Sequence, residues 1–309
     1  MILTLTPNPA VDLTYHLPTL RVGQVNRVGT VTRRPGGKGV NVARILAAHG
    51  FPVLALGPAG GATGDEVRSL LDAAGVAHDL TPVGGATRRT VVVAAADAAT
   101  GLWEPGPVLS AAEWAAVRDT YVEALRSADV AVLSGSLPAG VPADAYRDLV
   151  TAARAAGTPV ILDADGEALR HGVAAGPTAI KPNAEELAAL TGCPVTGVAT
   201  ATAAAAAACA LGAGDVVVSL GPGGLVAVTA DGVWSAAPPG MFSGNATGAG
   251  DAAVAALAVG LRDGDAWPDR LARMVAWSAA AAAAPVAGEF ADTTAAEIAA
   301  GVVVRRMNA

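Results

Sequence analysis

The chain has 309 residues, about two average domains' worth or one α/β domain carrying an appended piece. Apolar residues make up 52% and charged ones 15%, which supports a sizeable core and excludes a disordered chain. A net charge of −7 and a pI near 5.1 argue against a nucleic-acid scaffold, which depends on basic patches.

The opening MILTLTPNPAVD has no basic stretch, and Pro7 and Pro9 interrupt its apolar run, so it does not read as a signal peptide. Residues 8–34 are short, β-like and punctuated by Gly and Pro. Residues 84–107 have the same character, with RRTVVVAAAD at 88–97 as their clearest strand. Paired together, the two excursions would make a small sheet, expected here as a lid over a cleft. From about residue 110 helix and strand alternate. Ser110-Ala-Ala-Glu113 is a capping box opening a helix to about 127. DVAVLS at 129–134 is a buried strand, and Pro142 suits the first turn of the next helix. PVILD at 159–163 and TAIK at 178–181 are further strands, with a short helix near 166–175 between them. An Ala-rich helix near 199–212 leads into DVVVSL at 215–220. Continuous Val/Ile/Leu runs separated by helices predict a parallel sheet covered on both faces. The apolar stretches 252–261 and 274–287 are too short to span a membrane and read as buried helices. Cys193 and Cys209 are too few for a disulfide framework, and His16, His49, His78 and His171 show no metal-ligand spacing. A soluble protein of a reducing, cytoplasmic compartment is expected.

Four motifs carry chemistry. In NATGAGDAAVAAL at 245–257 a Gly-rich turn opens into a helix, so free N–H groups of Ala249, Gly250 and Asp251 can cradle an anion. Asp251 then lies beside that anion, placed to take a proton from an attacking hydroxyl. The same residues alone also fit a plain helix start with a dipole-favoured Asp. Gly248-x-Gly250-x-x-Ala253 matches a dinucleotide fingerprint, but no buried strand precedes it. PGGKGVNVARIL at 35–46 lets backbone approach a ligand at Gly36, Gly37 and Gly39. It is not a P-loop, because Gly39 follows Lys38 where Ser or Thr is required. Of 20 basic residues only Lys38 and Lys181 are lysines, which singles both out for a charge role. IKPNAEEL at 180–187 combines a capping box from Asn183 to Glu186 with a second reading, in which both serve a magnesium–triphosphate complex that Lys181 also reaches. SLGPGG at 219–224 and SGSLPAG at 134–140 end strands in Gly-rich turns, the latter offering Ser134 and Ser136.

Taken in order, TPNPAVDLTY, GGKGVNVAR, SGSLPAG, KPNAEEL, SLGPGG and TGAGD resemble the PfkB (ribokinase-like) carbohydrate kinases over nearly the whole chain. Within them the chain is most similar to the 1-phosphofructokinase and tagatose-6-phosphate kinase branch. The resemblance implies one domain over 1–309, a three-layer α/β/α sandwich with a mostly parallel sheet and a β-sheet lid from about 8–34 and 84–107. It makes Asp251 the catalytic base, with Gly248, Ala249 and Gly250 as anion hole. Asp12, Gly36, Gly37, Lys38, Asn41, Arg88 and Ser136 would bind the sugar, Arg88 holding its existing phosphate. Lys38 would thus face the sugar, and Lys181 the nucleotide. Lys181, Asn183, Glu186, Ser219, Gly221 and Gly224 would line the ATP side, with Glu186 reaching Mg2+ through water. Arg89 should point to the strand face opposite Arg88. Two positions depart from the family pattern. Ala246 stands where Pro, Thr or Val is usual, and Thr90 where an Asn is frequent.

The expected activity is ATP- and Mg2+-dependent phosphorylation of a ketohexose phosphate, fructose 1-phosphate before others. Tagatose 6-phosphate, fructose 6-phosphate and an unphosphorylated sugar or nucleoside are the alternative acceptors. A non-catalytic sugar-phosphate-binding regulator is the alternative of a different class. The expected partners are small molecules, without nucleic acid or membrane, and the family adds a homodimer through the lid.

Overall fold

The structure is a computed structural model and describes residues 1–96, 99–240, 248–284 and 290–307. The first elements are β1 (Ile2–Leu5), β2 (Ala10–His16), β3 (Thr30–Gly36), α1 (Lys38–Ala48), β4 (Val53–Ala59) and α2 (Gly61–Ala73). Then come β5 (Ala77–Pro82), β6 (Arg88–Ala94), β7 (Ala99–Trp103), α3 (Ala111–Ala124), β8 (Val130–Ser134) and α4 (Ala145–Ala155). The middle of the chain gives β9 (Val160–Asp163), α5 (Gly166–Ala174), β10 (Ala179–Ile180), α6 (Ala184–Thr191), α7 (Val198–Ala210) and β11 (Asp215–Ser219). It closes with β12 (Leu225–Thr229), β13 (Gly232–Ala237), α8 (Ala249–Asp263), α9 (Trp267–Ala283), α10 (Asp292–Gly301) and β14 (Val303–Met307).

Ten strands form one sheet in the order β14-β13-β12-β11-β10-β9-β8-β1-β4-β5. From β11 to β5 every neighbouring pair is parallel, and β12 to β14 continue the edge antiparallel. Strand residues alternate between two cores. Ile2, Val130, Val132, Ile161 and Val217 pack toward α1, α2, α8, α9 and α10. Leu3, Leu5, Leu133, Leu162, Val216 and Val218 pack toward α3 to α7. Both faces are therefore apolar, which is why β8 reads as an unbroken hydrophobic run and is buried throughout. The core holds few aromatics, so α8, buried on every side from Asp251 to Gly260, fills its layer with Ala and Val. This is the expected α/β/α sandwich. Among the described residues no helix is long and apolar enough to cross a membrane.

Pro142 does not open α4. Its carbonyl accepts the N–H of Ala145, so it lies in the turn before the helix, whose N-cap is Asp144. The expected helix at 274–287 starts earlier, at Trp267, and 285–287 and Asp97 of the expected 88–97 strand lie outside the described residues. Elsewhere the expected helices and strands appear within a few residues of their sequence bounds.

The two Gly/Pro-punctuated excursions pair as a separate four-stranded sheet, β3-β2-β6-β7. β2 runs antiparallel to β3 and parallel to β6, and β7 returns antiparallel to β6. Asp12 and Thr90 are paired in register on one face, while Val11 and Leu13, on the other, join the core. An Arg33–Glu66 ion pair at 2.9 Å ties β3 to α2. β3 runs straight into α1 through Gly36 and Gly37, so the small sheet and the first turn of α1 are positioned together.

Candidate active site

The carboxyl ends of β1, β8, β9, β10 and β11 lie side by side, the edge where ligands of open α/β sheets bind. Each delivers a polar segment: Thr6–Asn8, Ser134–Ser136, Asp163, Lys181–Asn183 and Ser219–Gly221. Facing them is the start of α8. Gly248 is its N-cap in a left-handed conformation (φ 88°) and offers no capping side chain, so among the described residues the first amides of the helix remain available to an anion. Asn245, Ala246 and Thr247 of the same motif lie outside the described residues.

Asp251 is 8% exposed in the first turn of α8. Asn41, from the first turn of α1, donates from Nδ2 to its Oδ2 at 2.9 Å. Burial, then the nearby Asp163 carboxylate, push the Asp251 pKa up to about 6, against the pull of Asn41, Lys38 and Lys181. A buried carboxylate poised just below neutral pH beside an anion cradle is suited to general-base work. Asn41, expected among the sugar contacts, is thus the direct partner of this carboxylate.

Both lysines are brought to one point. Lys181 is 4% exposed, and a Cβ placed on Gly250 would lie 3.5 Å from its Nζ, so the ammonium rests against the anion cradle. Lys38 lies 3.8 Å from Glu186 Oε1 and 3.6 Å from Asp163 Oδ1. Lys181 is 3.5 Å from that same Asp163 oxygen. Lys38 and Lys181, expected on the sugar and nucleotide sides, therefore share a carboxylate, because the Lys38 side chain reaches from the start of α1 to the end of β9. Burial pulls the Lys38 pKa down, but Asp163, Glu186 and Asp251 outweigh it and hold it above the ordinary lysine value. Asp163 was missed at the sequence level. It looks there like the last residue of a buried strand, and its one signal is a charge ending the apolar run PVILD.

Asn183 and Glu186 form the full capping box of α6, Glu186 Oε2 accepting from Asn183 N at 2.9 Å and Asn183 Oδ1 from Glu186 N at 2.8 Å. Glu186 Oε1 still reaches Lys38, so the capping box leaves this oxygen facing the cleft. Ser219, Gly221 and Gly224 border a cavity of about 290 Å³, with Pro222, Leu225, Ala249, Gly250, Val275 and Ala279 among its walls. The cavity is mostly apolar and ends at the anion cradle, a combination that can take a ligand with an apolar part and an anionic end. Gly224 (φ 84°) must be glycine, since a Cβ there would lie 2.1 Å from Ala236 O.

Asp12, from β2, accepts a hydrogen bond from the Thr90 hydroxyl. Burial raises its pKa, although Thr90, Arg88 and Arg44 act against that. A Cβ on Gly36 would lie 2.0 Å from Asp12 Cγ, so glycine is required for the carboxylate to occupy this place. Gly37 (φ 101°) packs against Thr6 and Pro9 and serves as N-cap of α1. Arg88 is half-buried and Arg89 exposed, as strand alternation requires. The Arg88 guanidinium donates from Nε to Asn8 O at 3.1 Å and from Nη1 to Glu104 O at 3.2 Å. It thus fastens two of the four crossings between the small sheet and the body, β1 to β2 and β7 to α3. Asn8 Nδ2 donates to Pro105 O at 3.0 Å and approaches Ser136 Oγ at 3.4 Å, which places Ser136 at the same junction.

Among the described residues no cluster of three His, Cys, Asp or Glu side chains is arranged to hold a metal. The donor set does fit Mg2+, which keeps most of its water and takes one or two carboxylates with substrate phosphates. Glu186, whose Oε1 faces the cleft at 3.8 Å from Lys38, is the carboxylate that would take this part.

The geometry matches known proteins. Phosphofructokinase-2 from Escherichia coli is 32% identical, over 97% of this chain and 98% of that one. The TM-score is 0.91 for its structure with potassium and 0.87 for its structure with fructose-6-phosphate. A Thermotoga maritima protein described as a possible 1-phosphofructokinase is 24% identical, with a TM-score of 0.90 over 99% of both chains. Arabidopsis thaliana ribokinase, solved with ribose and ATP, is 23% identical over 96% of this chain and 98% of its own, with a TM-score of 0.78. These last two speak for the fold alone, which is ribokinase-like. The pfkB family carbohydrate kinase model matches residues 5–294. The chain belongs to the pfkB family of carbohydrate kinases and is a phosphotransferase with an alcohol group as acceptor.

Proposed function

We propose that the protein transfers the γ-phosphoryl group of ATP to a hydroxyl of a ketohexose phosphate, fructose 1-phosphate before others. The observation that carries this reading is Asp251: a buried carboxylate with a pKa of about 6, oriented by Asn41 at the open N-terminus of α8. Asp251 takes the proton of the attacking hydroxyl. The Ala249 and Gly250 amides, with Lys181 beside them, stabilise charge on the transferring group. Glu186 would hold magnesium through water, and the ion would supply charge neutralisation for the phosphates. Asp12 orients sugar hydroxyls, and Arg88 binds the phosphate already on the sugar with the donors it has left. The small sheet acts as a lid that excludes water, the competing acceptor. Its exposed Val31, Leu102 and Trp103 make it a face for a second copy of the chain. Two unpaired cysteines agree with a reducing, cytoplasmic setting.

Fructose 6-phosphate is the second reading, favoured by the 32% identity to an enzyme solved with that sugar phosphate. ADP release measured across fructose 1-phosphate, fructose 6-phosphate, tagatose 6-phosphate, free fructose, ribose and a nucleoside ranks the acceptors by kcat/KM. The reading predicts a sugar phosphate at the top by at least two orders of magnitude. A free sugar or nucleoside there, or no turnover at all, overturns it.

A further inference from the structure

Asp163 ends β9 and is 2% exposed. Its Oδ2 accepts the Ser134 hydroxyl at 3.1 Å, which fixes the carboxylate plane. Its Oδ1 lies 3.6 Å from Lys38 Nζ and 3.5 Å from Lys181 Nζ. The chain's two lysines come from different elements, the first turn of α1 and the end of β10, and meet on this one oxygen. Without a counter-ion two ammonium groups so placed repel each other. A buried bridge of this kind is poor evidence for stability, since desolvation offsets the attraction. Its value lies in where the charges are held: Lys181 beside Gly250 at the anion cradle, Lys38 between Glu186 and the Asp251 side of the cleft.

Building on the kinase reading, we infer that Asp163 is a positioning residue for phosphoryl transfer, holding the Lys38 and Lys181 ammonium groups side by side toward the α8 cradle. Phosphate oxygens then meet two charges already in place. Asn at this position keeps the shape and the Ser134 contact but loses the charge that gathers the lysines. The nucleotide still attracts each lysine, so binding suffers less than transfer. The groups facing Asp251 are Asp163 from β9, Lys38 and Asn41 from α1, and Lys181 beyond β10. Removing the like charge also lowers the pH at which Asp251 ionises.

The test measures Asp163→Asn, Asp163→Glu and the double variant with Lys181→Met, at saturating magnesium and against the best acceptor. Expected for Asp163→Asn is a kcat lower by about 10- to 100-fold with KM for ATP changed by less than about threefold. The acid limb of kcat moves down by about half a unit or more. Asp163→Glu recovers part of kcat, and adding Lys181→Met to Asp163→Asn costs less than it does alone. Should Asp163→Asn fail to fold, Ser134→Ala, which frees the carboxylate but keeps its charge, is expected to show the same kcat-over-KM pattern more weakly. The inference is overturned if the acid limb stays put and KM for ATP rises as kcat falls. It is equally overturned if excess magnesium restores the variant, which would make Asp163 a metal ligand. A wild type inactive on every sugar phosphate removes the kinase reading and this inference with it; an active wild type with either result above removes the inference alone.

Discussion

Asp251→Asn should abolish turnover and, at the same time, stabilise the protein. The folded-state pKa of Asp251 is about 6, against an ordinary value of 3.8. A difference of about two units corresponds to about 3 kcal/mol, since each unit is worth about 1.4 kcal/mol. The folded value lies above the unfolded one, so the folded chain holds the proton more tightly. The carboxyl costs nothing below about pH 3.8, and its contribution to stability is lost as pH rises through about 6. At pH 7 and above the wild type carries the whole penalty. Asn removes it while its amide oxygen still accepts from Asn41. With an unfolding entropy of about 2.1 cal/mol/K per residue, about 3 kcal/mol over 309 residues raises Tm by about 4 to 5 °C. Calorimetry at pH 7.5 and pH 4, paired with a coupled ADP assay, checks both halves. The Tm gain should shrink toward zero at pH 4, and turnover should fall by several orders of magnitude. A variant that is less stable at pH 7.5, or that keeps near-normal turnover, refutes the reasoning. In the wild type, kcat should fall about tenfold for each unit below pH 6.

Asn41→Ala removes the hydrogen bond that lowers the Asp251 pKa, so the acid limb of the pH–rate profile should move upward; an unchanged limb would separate the two residues. Gly36→Ala places a methyl about where the Asp12 carboxylate sits, and it should raise KM for the sugar strongly while nucleotide affinity, followed by calorimetry, holds. Arg88→Ala should raise KM for the sugar phosphate and leave that for ATP unchanged. It also strips partners from Asn8 O and Glu104 O, so faster proteolysis within the small sheet is expected, and Arg88→Lys, lacking the fork, should rescue neither effect.

The layered fold was legible because its determinants are local: apolar runs for the parallel strands, Ala-rich stretches for helices buried on every side. The capping boxes at Ser110 and Asn183 were legible for the same reason, each being a bond between residues three apart. Pro142 misled because its fixed φ suits a turn as well as a first helical turn. The site was legible as a list of motifs and illegible as a set of pairs. Nothing near Asn41 in sequence announces Asp251, which lies 210 residues on. Arg88, singled out for a phosphate, also spends donors on two backbone carbonyls, and that follows only from where the chain crosses between sheets. Asp163 has no motif around it, and the role inferred for it comes from the meeting of its carboxylate with Lys38 and Lys181, both distant in the chain.

The scarcity of lysine gains a physical reason from that meeting. Eighteen arginines serve the rest of the chain, and the two lysines converge on one carboxylate oxygen at 3.6 and 3.5 Å. Two compact point charges can share an oxygen and turn to phosphate when it arrives. A guanidinium is planar and wider, and favours both carboxylate oxygens at once. At either position it would compete with the Ser134 hydroxyl for Oδ2 and crowd the other lysine. At Lys181 it would also press on the Gly250 backbone, where there is room only for an ammonium 3.5 Å from a would-be Cβ. Lys38→Arg and Lys181→Arg should therefore lose activity although the charge is kept, the second more severely, with KM for ATP raised. Circular dichroism and a thermal melt confirm that each variant is folded before its kinetics are read. Full activity in both would mean that charge alone matters here and that the convergence on Asp163 is incidental.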